Sequence, residues 1–297
     1  MARLVLQQPG ETCANMDVSG HRLLAPSDDQ ELQQVFQEIT SRPVAEKYTE
    51  AIRSAIDYVL DGQRTGRFDL LSPKVHPGER ASVGAKLEYE VLRSFDWPKA
   101  KPLDTSISGA AVDIKATVGD NWAVPSEAHC QLCLCTKIQL KKNRHRTWLM
   151  RTHRSWLYRG SGNKDGKRGI AVEALEKWSM PLYDWSPLPV NPLTYLTEEQ
   201  ASEILADKPG QEQRMLILFG YLKGVIIPRS VLETVGAGKR DPVRRARAIK
   251  ERAAQRGLLL LCGTWQEDRD LAAARNISLP RDDWIALPID KTTNLES

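Results

Sequence analysis

Between residues 102 and 153 the chain strings short apolar runs together with so little between them that they must lie side by side in a sheet. PLDTSI, a Ser108-Gly109 turn and AAVDIKATV read as strand, turn and strand; beyond a loop through Pro125, CQLCLCTKI and TWLMRTH add two more. What precedes them has a different period. QELQQVFQEI (30–39), AEKYTEAIRSAIDYVLDG (45–62) and ERASVGAKLEYEVLRSF (79–95) carry apolar residues at helical spacing, and Val83, Leu87, Val91 and Phe95 form a stripe at four-residue steps. Helices followed by closely connected strands predict a mixed α/β fold. Residues 1–28 hold no sustained period and contain PGE and APSDD, which predicts an arm or loosely packed lead-in.

The second of these strands carries the chemistry. Asp113 and Lys115 are two apart, so they share a face, and the strand before the turn can bring Asp104 alongside. Glu88 borders the apolar stripe of the preceding helix. Charges among Ala111, Val112, Ile114 and Ala116 are expensive to bury without a task, and carboxylates beside a lysine suit metal-assisted phosphodiester hydrolysis. A hard ion such as Mg²⁺ takes oxygen ligands, here Asp104, Asp113, Glu88 and the Ile114 carbonyl, while the Lys115 ammonium orients the nucleophile or steadies the transition state. The alternative reading of Asp-x-Lys alone is a surface strand with a salt-linked pair.

Five cysteines in a chain of 297 residues argue against a disulfide framework. Cys130, Cys133 and Cys135 beside His129 invite a zinc reading, but residues two apart on a strand sit about 6.5 Å from each other, whereas zinc binds sulfur at about 2.3 Å. The run is therefore expected to be a core strand. His76, His129, His145 and His153 show no paired spacing that suggests a metal set, and are read as structural or phosphate-contacting.

At 41% hydrophobic the chain buries real cores; it has no apolar run long enough to span a bilayer and no secretory leader pattern, and is read as cytoplasmic with no membrane partner. The formal charge is only +4, yet basic residues bunch between Lys137 and Arg168 and between Lys239 and Arg256, as in a nucleic-acid footprint. The glycine-rich stretch from Arg159 to Ile170 offers Lys164, Lys167 and Arg168 to phosphate; its bland reading is an exposed mobile loop. PLYDWSPLPVNPLTYL places a domain boundary near residue 190, giving a lead-in of 1–28, a first domain of 29–190 and a second of 191–297. In the second, DPVRRARAIKERAAQRG puts Val243, Ala246, Ile249 and Ala253 on one face and Arg244, Arg245, Arg252 and Arg256 on another. Helix, tight turn, arginine-faced helix and apolar strand follow the order of a winged helix-turn-helix, for which a solvated helix face is the alternative.

LDGQRTGRF (60–68), GAKLEYEVLRSF (84–95), LDTSISGAAVDIKAT (103–117), NWAVPSEAHCQLCL (121–134), SGNKDGKRG (161–169) and the stretch from Gln211 to Glu251 together resemble the NaeI family of type II restriction endonucleases. The resemblance runs from about residue 30 to about 290. It implies an amino-terminal PD-(D/E)xK nuclease domain and a mostly helical carboxy-terminal domain like the winged helix of catabolite activator protein. It further implies Mg²⁺ as cofactor, with Mn²⁺ substituting, and a homodimer that cuts double-stranded DNA at a short palindrome and binds a second DNA copy as activator. A cognate DNA methyltransferase in the same system is compatible with this. Position by position, Glu88 matches the helix glutamate, Asp104 and Asp113 the metal carboxylates, Lys115 the active-site lysine, and Lys164, Lys167 and Arg168 a DNA-contacting loop. SPKVHPG at 72–78 departs from the family pattern, so the recognised bases do not follow from the resemblance. Two other classes fit the same residues: a non-cleaving DNA-binding regulator on a nuclease-like scaffold, and a nicking or repair nuclease for mismatched or modified DNA.

Overall fold

The computed structural model describes residues 6–15, 21–159, 162–237 and 241–289; parts of the lead-in, two residues of the basic loop, Lys239 and the last residues of the second domain lie outside these. The chain divides into two compact units, Met1–Val59 with His76–Pro189, and Leu60–Val75 with Val190–Ser297. No helix among the described residues is long and apolar enough to cross a membrane.

Helices α1 (Gln30–Thr40), α2 (Val44–Leu60), α3 (Gly62–Thr65) and α4 (Pro77–Phe95) come first. Asp29 caps α1 by accepting from the Leu32 N–H at 3.1 Å, and the helix buries Leu32, Val35 and Ile39. His76 opens α4. Its Nδ1 accepts from the Gly78 N–H at 3.2 Å, while the Glu79 carboxylate accepts from the His76 N–H at 2.9 Å, a reciprocal cap with Pro77 in the first turn. Such a cap contributes about 1 kcal/mol. The stripe of Val83, Leu87, Val91 and Phe95 is buried as its spacing predicts.

The sheet that follows contains β1 (Thr105–Ile107), β2 (Ala110–Thr117), β3 (Leu132–Gln139) and β4 (Arg144–Arg151), and after helix α5 (Val172–Trp178) the short β5 (Ser179–Pro181) and β6 (Ser186–Pro187). Its order is β1-β2-β3-β4-β5, with β6 also on β4. β1 and β2 form a hairpin whose two turn residues, Ser108 and Gly109, both have positive φ, the backbone a two-residue hairpin loop needs. β2 runs parallel to β3, and the remaining pairs are antiparallel, so the sheet is mixed. Helix α4 crosses β2 at Gly84, where an added Cβ would stand 2.9 Å from the Ala116 carbonyl oxygen. Only glycine permits that approach.

The lead-in differs from expectation. Leu6, Cys13 and Leu23 are buried in the same apolar cluster as Trp122, Met150, Trp156 and Trp178, and the Trp156 indole donates to the Gln7 carbonyl at 2.9 Å. Backbone bonds from Gly10 to Leu23 and from Cys13 to His21 hold its described parts side by side without regular helix or strand, which leaves no period in the sequence.

The second unit contains α6 (Glu198–Leu205), α7 (Gln211–Tyr221), β7 (Ile226–Ile227), α8 (Arg229–Gly236), α9 (Pro242–Ala248), α10 (Lys250–Gln255), β8 (Leu258–Cys262), α11 (Gln266–Ala273) and β9 (Trp284–Pro288). Its strands pair antiparallel in the order β7-β9-β8. Leu216, Phe219, Ile227, Leu232, Ile249, Leu260 and Trp284 share its core, and Phe68 packs against it. Residues 60–75, expected with the first domain, thus belong to this unit. The arginine-rich segment, expected as one helix, breaks at Ile249, whose φ of −92° and ψ of 0° separate α9 from α10. Ala246, Ile249 and Ala253 are nevertheless all buried, so the predicted apolar face survives the break.

Candidate active site

Glu88, Asp104, Asp113 and Lys115 converge where α4 lies on the β1–β2 hairpin. The sequence dictates this locally: the hairpin turn returns β2 past Asp104, the two-residue period sets Asp113 and Lys115 on one face, and Gly84 admits the helix that carries Glu88. Lys115 Nζ donates to Asp113 Oδ1 at 2.6 Å and to the Ile114 carbonyl at 3.1 Å, and lies 3.4 Å from Asp104 Oδ2. The same Asp104 oxygen accepts from the Ile114 N–H at 2.8 Å. Glu88 Oε1 accepts from Lys99 Nζ at 3.3 Å.

Burial decides the electrostatics. The Asp113 side chain keeps only 4% of its surface, and burial raises its pKa to about 6 against the opposing pull of Lys115. Burial alone lowers the Lys115 pKa, but the Asp113 and Asp104 carboxylates outweigh it and hold the ammonium charged. At Asp104 the penalty of burial is outweighed by the Ile114 N–H and Lys115, which leaves that carboxyl below its ordinary range. Glu88 moves up, through burial and the Asp104 charge, with Lys99 opposing. Three carboxylates thus face two ammonium groups. Such a cluster gains from another cation, and its donors, carboxylate oxygens plus the Ile114 carbonyl, are those a hard divalent ion prefers.

Cys133 is a contributor that sequence reasoning assigned only to the core. It pairs in register with Asp113 across β2 and β3, and its thiol lies 3.8 Å from Asp113 Oδ2. Its contact with Cys135, followed by burial, pushes that thiol well above its ordinary pKa, so it remains a neutral donor behind the carboxylate. Cys133 and Cys135 are strand residues as expected; Cys130 precedes the strand and turns elsewhere.

The other predicted contacts are carried by other segments of the chain. Lys164, Lys167 and Arg168 belong to a loop held by paired backbone bonds between Val124 and Arg168, both 2.9 Å, with Asn163 Oδ1 accepting from the Asp165 and Lys167 N–H groups at 3.0 and 2.9 Å. Lys164 is exposed and the other two are half-buried along an open cavity of about 620 Å³ that Asn121 and Trp122 also line. Arg244, Arg245, Arg252 and Arg256 are exposed on the second unit. Arg245 and Arg252 both reach Glu212 at the start of α7, at 3.1 and 3.4 Å. His145 is a core residue: it bonds Thr49 and Tyr183, and burial lowers its pKa to about 4.

A mixed sheet that gathers a helix glutamate, two aspartates and a lysine around one hairpin has the make-up of a nuclease. The chain belongs to the NaeI restriction endonuclease family, whose model, described as Restriction endonuclease NaeI, matches residues 33–292. Among characterised relatives, the Type II restriction enzyme NaeI of Lentzea aerocolonigenes is 25% identical over 247 residues, which span 80% of this chain and 75% of that protein.

Proposed function

We propose that this enzyme hydrolyses phosphodiester bonds of double-stranded DNA at a specific sequence, using Glu88, Asp104, Asp113 and Lys115 with Mg²⁺. The observation that carries the reading is the convergence of these four side chains and the Ile114 carbonyl on one buried spot. Asp104, Asp113 and the Ile114 carbonyl would hold the ion, with Glu88 beside them, and Mn²⁺ fits the same oxygen set. When bound, the ion supplies Lewis acidity and neutralises charge on the phosphate. Lys115, kept protonated by two carboxylates, would give up its place between Asp113 and the Ile114 carbonyl to the ion and orient an attacking water or a non-bridging phosphate oxygen. Asp104 is itself fixed by the Ile114 N–H and needs no reorganisation during the reaction. Incubating plasmid DNA with wild-type, Asp113→Ala and Lys115→Ala protein in Mg²⁺ tests the reading; equal cleavage by all three removes it.

The Asp113 carboxyl gives this centre a pH signature. Because its pKa in the metal-free protein is raised to about 6, lowering the pH through that value loads a proton onto the group that must bind the cation, whereas raising it leaves the carboxylate free. Below about pH 6 the apparent Mg²⁺ affinity should fall by up to tenfold per pH unit, and above it should level off. Calorimetric titration with Mg²⁺ across that range checks the sign, and Asp113→Asn should flatten the acid limb.

The second unit is proposed to be a winged-helix DNA-binding domain. Support comes from the run α7, β7, α8, α9–α10, β8, α11, β9, the strand order β7-β9-β8, and exposed arginines on α9 and α10 and just beyond. Replacing Arg244, Arg245 and Arg252 together should weaken DNA binding and reduce the slope of log affinity against log salt by about 2.7, at about 0.9 for each lost phosphate contact. An unchanged slope in a filter-binding salt series would take this face out of the interface. A homodimer, a second activating DNA copy and a cognate methyltransferase complete the proposal by analogy with the family.

A further inference from the structure

Away from the carboxylates, the described residues bring together Cys13, His21, Cys130 and His153, with one nitrogen or sulfur from each lying within 4.8 Å of all the others. They come from four separate places in the chain. Cys13 and His21 face each other within the lead-in, where the Cys13 N–H donates to the His21 carbonyl at 2.9 Å next to a Thr12–Arg22 bridge. Cys130 stands just ahead of β3 and His153 just beyond β4, and the Cys130 N–H donates to the Thr152 carbonyl at 2.9 Å. Each of these two backbone pairings therefore offers one sulfur and one imidazole to a common point.

The distances discriminate between explanations. The two Sγ atoms are 3.7 Å apart, and His21 Nε2 is 3.2 Å from His153 Nδ1. A disulfide requires about 2.05 Å. A tetrahedral zinc ion with bonds of about 2.3 Å to sulfur and about 2.0–2.1 Å to nitrogen would set its sulfurs about 3.8 Å and its nitrogens about 3.3–3.4 Å apart. Both observed separations agree with this to about 0.2 Å, the tolerance expected of a metal site. Thiol and imidazole contacts could account for either pair alone, but not for the meeting of both pairs.

The surroundings fit as well. Cys130 has a φ of +62°, a left-handed backbone that a non-glycine residue holds only where its neighbours fix it. Asn15 Nδ2 donates to Cys130 Sγ at 3.3 Å, and Ser155 Oγ lies 3.4 Å from Cys13 Sγ, the kind of outer contact that steadies thiolate ligands. Cys13, Cys130 and His153 are buried. Two thiolates and two neutral imidazoles around a divalent ion leave no net charge, which suits that burial.

We propose that Cys13, His21, Cys130 and His153 form a structural zinc site that fastens the amino-terminal lead-in to the adjoining ends of β3 and β4. Soft sulfur and imidazole donors select Zn²⁺ over the Mg²⁺ of the carboxylate site, and four protein ligands leave no open position for catalysis. Binding releases the two thiol protons to solvent and moves no electrons. The site sits three residues along the chain from Cys133, the residue paired with catalytic Asp113, so it stiffens the strand that backs the active site.

The test is metal content of the full-length protein, expressed with zinc in the medium, purified without chelator and dialysed into excess Mg²⁺. About one zinc per chain should remain, and Co²⁺ exchanged for it should give the visible bands and thiolate charge-transfer absorption of a tetrahedral sulfur–nitrogen site. Cys13→Ser and His21→Ala, both on the lead-in, should lose the bound zinc while circular dichroism reports a folded chain. Wild-type protein with no stoichiometric zinc would overturn the proposal without recourse to any variant. Zinc retained in full by Cys13→Ser, or an intact mass two hydrogens light under non-reducing conditions, would overturn it too.

Discussion

Lys115→Ala should lower the rate of DNA cleavage in Mg²⁺ by about a thousandfold or more, while DNA binding measured in Ca²⁺ changes little. The lysine is the only cation that touches both Asp104 and Asp113 among the described residues, and its charge is held by them rather than by solvent. Removing it takes a preorganised donor from the reacting centre and leaves Asp113, already pressed toward its neutral form by burial, without its ammonium partner. Arginine is a poor substitute, because a planar fork cannot occupy the point between Asp113 Oδ1 and the Ile114 carbonyl that the compact ammonium fills. Single-turnover cleavage of an end-labelled duplex, set beside an electrophoretic binding titration, separates lost chemistry from lost affinity. A Lys115→Ala protein that cuts within tenfold of wild type would remove the lysine from the reaction.

Gly84→Val should reduce cleavage by about a hundredfold without touching any group in the active site. The added Cβ would meet the Ala116 carbonyl oxygen at 2.9 Å, a backbone atom of the strand that bears Asp113 and Lys115, so helix and strand must separate. Glu88 lies one helical turn further along α4 and moves with it. Overpacking of this sort also costs about 1–3 kcal/mol of stability, visible as a lower denaturant midpoint. Gly78→Ala is the control: on the same helix its Cβ would meet only the His76 ring at an ordinary 3.4 Å, and activity should be kept. Comparable losses in both variants would mean that α4 is sensitive to side-chain bulk in general.

The convergence of Glu88, Asp104, Asp113 and Lys115 was legible because their order in the chain mirrors their order in space. One hairpin and one helix supply all of it, and strand periodicity alone sets Asp113 beside Lys115. The apolar stripe of α4 was legible for the same reason, being local. Pairing across the sheet was not. That Cys133 would stand behind Asp113 depends on the parallel register of β2 and β3, fixed by a crossover whose course no short-range signal reveals. The meeting of Cys13, His21, Cys130 and His153 was illegible for the same reason, since these residues are scattered along the chain and a spacing rule finds only groups that share a turn. The arginine segment shows the opposite case: its two faces follow from sequence, but the break at Ile249 and the hold of Glu212 on Arg245 and Arg252 come from packing within the second unit.

The chain passes between its two compact units more than once, since residues 60–75 leave the first for the second and return at His76 before the final passage at Pro189. A protease that nicks the connection after Pro189 would therefore not release two independent pieces. The amino-terminal fragment would still carry a strap bearing Phe68, whose ring packs against the core of its counterpart. Such a nicked protein should travel as one particle through a sizing column and fall apart only in denaturant. Recombinant expression of either half by simple truncation at that point would leave an exposed apolar strap on one product and an uncovered core edge on the other.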